Sequence, residues 1–161
     1  MTQRHLALVL EPEPLWLKLV EQAVVRFGEA VGFSETLQRM LVGAALEACE
    51  ELIRSSETAG VLEPFRFGLE FKGDAVTLEL EYDGRVPMNP HQAEDYEVPD
   101  AGADLDEVDT ASLWLHLIKR RMDRVYFRVN GARRALRLVK YSREEGLERR
   151  SWVMALRPRL R

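Results

Sequence analysis

The chain has 161 residues, 46% hydrophobic and 31% charged, with a formal charge of −4 and one cysteine. That profile excludes a disordered or fibrous chain, an intrachain disulfide and a zinc site built on cysteines, and the length suits one domain. The charge is lopsided: residues 1–118 carry 8 Lys+Arg against 23 Asp+Glu, and residues 119–161 carry 15 against 4. No nucleic-acid recognition motif accompanies the basic segment, so it reads as a face that is solvated or paired with acidic groups.

Leu6 to Leu10 reads as a short strand. It is too short to cross a membrane, and the acidic prolines after it make no signal-peptide cleavage region, so a cytoplasmic protein is expected. Pro12-Glu13-Pro14 interrupts the strand and can open a helix at its first turn. Leu15, Trp16, Leu19, Val20, Ala23, Val24 and Phe27 then hold one face of that helix, and Gly32 ends it. Ser34 is the N-cap of a second helix, with Leu37, Met40, Leu41, Ala44, Ala48 and Leu52 as its buried stripe down to about Ser56. Glu47 and Glu51 stand one turn apart on this helix, a spacing that suits either a shared metal or two solvated carboxylates.

Residues 57–64 read as a loop. Phe65, Phe67, Leu69 and Phe71 alternate with polar residues, Gly73-Asp74 turns the chain, and Val76, Leu78, Leu80 and Tyr82 repeat the alternation. Each of these two antiparallel strands has one apolar face, which the two long helices are expected to cover as a two-layer α+β sandwich. Asp83-Gly84 makes a turn. Residues 91–109 lack periodicity and are dense in acidic groups, a long loop for a compact domain. From Thr110 to Arg124 the positions Leu115, Ile118 and Met122 predict an amphipathic helix widened by Leu113 and Leu117. Val125, Phe127 and Val129, the Asn130-Gly131 turn, and Leu136 and Leu138 predict a hairpin. Beyond residue 140 a basic extension, 141–161, carries the apolar run Trp152 to Leu156 between Arg149, Arg150, Arg157, Arg159 and Arg161. It would cover its own domain or form a contact with a partner or second copy.

The segment Leu115-His-Leu-Ile-Lys-Arg-Arg-Met-Asp-Arg-Val125, followed by a hairpin ending Leu136-Arg-Leu-Val-Lys140, resembles the C-terminal half of the anti-sigma-factor serine kinases, the RsbW-type branch of the GHKL ATPases. The resemblance extends over residues 1–140 and implies the Bergerat topology, a mixed and mainly antiparallel sheet covered on one face by helices. Leu46-Glu47-Ala-Cys-Glu50-Glu51 resembles the family's Glu-x-x-x-Asn box, which would make Glu47 the general base and put Glu51 at the magnesium-binding asparagine. Asp83 matches the aspartate that accepts a hydrogen bond from adenine. Arg85, Ser112 and Trp114 stand at nucleotide-loop positions where the family has glycine, as does Pro87. The resemblance therefore implies an anti-sigma-factor-like regulator with a degenerate ATP site, a pseudo-ATPase whose pocket is occluded. It would act by protein–protein binding to a sigma factor or an anti-sigma-factor antagonist in a partner-switching pathway, and as a homodimer. The competing reading is an active serine/threonine kinase that uses ATP and magnesium through Glu47, Glu51 and Asp83. Neither nucleic acid nor a membrane is an expected partner.

Overall fold

In the computed structural model, which describes residues 3–89, 94–99 and 110–142, each run of alternating apolar and polar residues becomes a strand. The strands are β1 (Arg4–Leu10), β2 (Phe65–Lys72), β3 (Ala75–Asp83), β4 (Tyr96–Glu97), β5 (Arg124–Asn130) and β6 (Arg133–Tyr141). They form one sheet in the order β1-β2-β3-β6-β5-β4. Every described pairing is antiparallel, so the mixed character expected of the sheet is not found among the described residues. The side-chain period of two fixes the register. Leu8, Phe67, Leu80, Leu136, Phe127 and Tyr96 make one row across all six strands, and Leu6, Leu69, Leu78, Leu138 and Val125 make the next. A one-residue slip in any strand would turn its whole apolar row to the other face. Both hairpin turns need positive φ, which Gly73 at 66° and Gly131 at 60° supply.

Three helices, α1 (Leu17–Val31), α2 (Glu35–Ala59) and α3 (Leu113–Arg121), complete an α+β fold. Helix α2 is the central one, packed against both α1 and α3. Its small residues Ala44, Ala45, Ala48 and Cys49 are wholly buried and let the backbones approach closely. At its start Ser34 Oγ accepts a hydrogen bond from the Leu37 N–H at 3.2 Å, as an N-cap should. Helix α1 ends at Gly32, whose φ of 80° stops it cleanly, and α2 ends the same way at Gly60.

Four sequence expectations need correction. Helix α2 runs past Ser56 to Ala59, because Gly60 is the first residue to leave the helical region. Helix α3 stops at Arg121 instead of continuing to Arg124, since Met122 is already extended and the Asp123 N–H donates to the Val139 carbonyl of the sheet. The aperiodic stretch 91–109 holds, in its described part, the short edge strand β4. Leu15 and Leu19 are 63% and 42% exposed, outside the core they were expected to join. Leu15 falls in a 3-10 turn, Pro14–Trp16, whose tighter winding takes it out of phase with the buried residues Val20, Val24 and Phe27. The extension expectation, Trp152 to Leu156 with its arginines, lies outside the described residues.

Candidate functional site

At the C-terminal end of β3, a cleft of about 480 Å3 opens between α2 and the start of α3. Helix α2 contributes Glu51 and Arg54, the segment after β3 contributes Pro87 to Asn89, and the entry to α3 contributes Ser112, Trp114 and Leu115. The structure thus brings Glu51, Ser112 and Trp114 to one cleft. Glu47, Asp83 and Arg85 are not among the residues that line this cleft.

The absence of Asp83 has a local cause. In the β3–β6 register Asp83 faces Arg133 and lies on the face opposite Tyr82, away from the apolar rows. Its Oδ1 accepts from the Arg85 backbone N–H at 2.9 Å and from Arg85 Nε at 3.0 Å, and its Oδ2 accepts from Nη2 at 2.9 Å. The same Nη2 reaches Glu63 Oε1 at 2.7 Å. This is the turn that an aspartate two residues before a free N–H favours, strengthened by a bidentate guanidinium. The side-chain hydrogen bonds of Arg85, and then its backbone N–H, hold the Asp83 carboxyl down at about 2. Between the two, the Gly84 N–H donates to the Ala132 carbonyl at 2.8 Å, and a Cβ at Gly84 would stand 2.6 Å from that oxygen. Here glycine is required by close approach of two backbones.

Glu51 is committed through one oxygen, while its buried Oε2 has an ion-pair contact but no hydrogen-bond partner among the described residues. Its side chain is only 13% exposed, Oε1 accepts from Ser55 Oγ at 3.0 Å, and the Arg54 guanidinium lies against Oε2. Glu47, one turn earlier, is half-buried. Among the described residues no group of three or more His, Cys, Asp or Glu side chains is placed to hold a metal ion. Trp114 is 5% exposed, and its indole meets the Phe127 ring edge-on with centroids 6.4 Å apart. Asn89, buried, donates from Nδ2 to the Glu94 carbonyl at 3.2 Å.

These groups fit a magnesium nucleotide poorly. A triphosphate needs free backbone N–H groups and cations, and the metal needs carboxylate or carbonyl oxygens that are not already bonded. Pro87 has no N–H to give, the Glu51 carboxylate already faces Ser55 and Arg54, and the Asp83 oxygens hold Arg85. Arg54 and Glu63 went unremarked in the sequence. Arg54 was legible as the i+3 partner of Glu51, whereas Glu63 is 22 residues from Arg85 and no spacing rule links them.

Among the described residues no helix is long and apolar enough to cross a membrane. No family model matches the chain, and no curated protein matches it.

Proposed function

We propose that the chain is an anti-sigma-factor-like regulatory protein of the GHKL (Bergerat) type whose nucleotide site is degenerate. It acts in the bacterial cytoplasm by binding a sigma factor or an anti-sigma-factor antagonist, and no phosphoryl transfer is part of that action. Support comes from the order of elements, strand, two helices, hairpin, loop, helix and hairpin, in an α+β fold with an antiparallel sheet. The observation that carries the degenerate site is the Arg85 side chain closed on Asp83, which uses both oxygens of the carboxylate that adenine would need.

Calorimetric titration with magnesium ATP tests this reading. The expected outcome is no binding up to millimolar nucleotide, together with sigma-factor binding that is the same with and without ATP. The kinase reading draws on Glu51 and Ser112 lining one cleft. Micromolar ATP affinity and transfer of labelled phosphate to an antagonist protein would establish it and overturn the proposal.

A further inference from the structure

The opposite end of β3 has a different recess. The register places Ala75 beside Tyr141 there, against Asp83 beside Arg133 at the cleft end. Phe33, Leu37 and Met40 from the α1–α2 corner, Phe71 from β2, and Tyr141 and Ser142 from the end of β6 enclose about 130 Å3. Phe33 stands edge-on to Phe71 at 5.2 Å and to Phe27 at 6.4 Å. The backbone of the walls is pinned. The Phe33 N–H donates to the Gly28 carbonyl at 2.9 Å, and Gln38 Nε2 donates to the Phe33 carbonyl at 3.1 Å. On the other side the Tyr141 N–H donates to Asp123 Oδ2 at 2.7 Å and the Ser142 N–H to the Asp74 carbonyl at 2.8 Å. Asp123 and Lys140, paired at 3.6 Å, complete the lining, so the recess has a floor of apolar rings and side chains and one charged side.

We infer that this groove receives the chain's own apolar run Trp152 to Leu156. Size selects the class of occupant: a volume of about 150 Å3 accommodates a benzene-sized ring, whereas nucleotide- and drug-sized ligands need roughly 300 Å3 or more. The recess therefore takes a ring or one long aliphatic side chain. Continuity selects the occupant. Ser142 is itself part of the wall, and only nine residues, 143–151, separate it from Trp152. Nine residues span at most about 30 Å, so the run can return to the groove it leaves. A tether of that length holds the run at an effective concentration of about a millimolar or more, well above that of any free partner. Charge favours the return. Residues 143–161 carry six Arg against three Glu, and residues 1–142 carry 17 Lys+Arg against 24 Asp+Glu. The inference is independent of the nucleotide reading, because the groove shares no lining residue with the cleft.

The test follows the emission of Trp152 in the full chain, taken as the difference between the natural protein and Trp152→Phe. The expected result is a component shielded from acrylamide, with the same quenching constant at every protein concentration. Leu37→Asp, in the groove wall, should raise that constant several-fold toward the value of a free indole. Thr36→Arg, an exposed rim position that leaves the core untouched, should do the same if Leu37→Asp fails to fold by circular dichroism. Full quenching of Trp152 in the natural chain would overturn the inference, as would shielding that both groove variants leave unchanged. Shielding that rises with concentration alongside a sedimenting dimer would assign the groove to a second copy, and would overturn the intrachain reading.

Discussion

The two recesses at the ends of β3 differ in how much of their chemistry is already used. The cleft beside Trp114 is the larger, yet its carboxylate faces Ser55 and Arg54, and the neighbouring Asp83 is closed by Arg85. The groove beside Phe33 is the smaller; its one ion pair, Asp123 with Lys140, stands at the side, and Phe33, Leu37, Met40 and Phe71 offer apolar surface on a pinned backbone. Volume is thus a poor guide to which recess binds. A ligand gains from groups that are desolvated only on its arrival, and the cleft's polar groups would first have to leave partners they already hold.

The largest expected effect tests whether Trp114 is a wall or a lid. As a wall, packed on Phe127 and nearly fully buried, Trp114→Ala should cost about 3–5 kcal/mol in urea unfolding, in the range of large-to-small core changes. Leu37→Ala in the half-exposed groove should cost roughly 1 kcal/mol, because much of that side chain is already in water. Nearly equal losses would erase the contrast between the two recesses. Even in a folded variant, Trp114→Gly should not bring ATP binding, since Pro87 and the Asp83–Arg85 closure remain.

Next in size is Gly84→Ala. The added methyl would stand 2.6 Å from the Ala132 carbonyl, which belongs to the β5–β6 turn and cannot swing aside as a side-chain end would. A loss of about 1–3 kcal/mol is expected, as for other overpacking changes, with a local shift at Ala132 readable by NMR. A neutral result would mean that the cleft end of the sheet is as yielding as the groove rim.

How far the sequence carried can be judged on these same residues. Period-two alternation specified four of the strands and their hairpins, since Leu78 and Leu136 have no other way to be buried. Ser34, Gly32 and Gly131 were readable because capping and positive φ are local needs. Around the site, local rules ran out. The closure of Arg85 on Glu63, and of Gly84 on Ala132, joins residues far apart in sequence, and only the folded sheet brings them together. The exposure of Leu19 escaped for a related reason: a helical wheel gives the phase of a stripe, whereas its width is set by what packs against it.

A smaller effect concerns acid. Arg85 lowers the Asp83 carboxyl from 3.8 to about 2, so the charged form is favoured in the folded chain. The stabilisation is complete above the unfolded value near 3.8 and is lost as pH falls toward 2. Arg85→Ala should raise the Asp83 carboxyl part of the way toward the ordinary carboxylate range in a carbon-detected NMR titration, because the backbone N–H of residue 85 and Arg133 remain, and should flatten the acid limb of the stability curve between those two values. Stability at neutral pH should fall only modestly, because Arg85 is exposed to solvent. An Asp83 carboxyl that does not rise at all without the Arg85 side chain would show that the backbone N–H and Arg133 hold it, and the guanidinium closure would not be what occupies it.

The smallest expected effect lies one residue earlier, at Tyr82. Its side chain is fully buried on the apolar face, its hydroxyl has no hydrogen-bond partner among the described residues, and burial pushes the phenol's ionisation up. A buried hydroxyl without a partner has lost its hydrogen bonds to water and gained none, so removing it recovers free energy. Tyr82→Phe should therefore be neutral or stabilising by up to about 1 kcal/mol in urea unfolding, with the sheet unchanged by circular dichroism. This runs opposite in sign to Trp114→Ala and Gly84→Ala at the same end of β3. It separates a polar group that the fold merely tolerates from groups that the fold uses. A loss greater than about 1 kcal/mol would show that the hydroxyl does have a partner, and the cleft end would then hold more polar structure than Asp83, Arg85 and Glu51 account for.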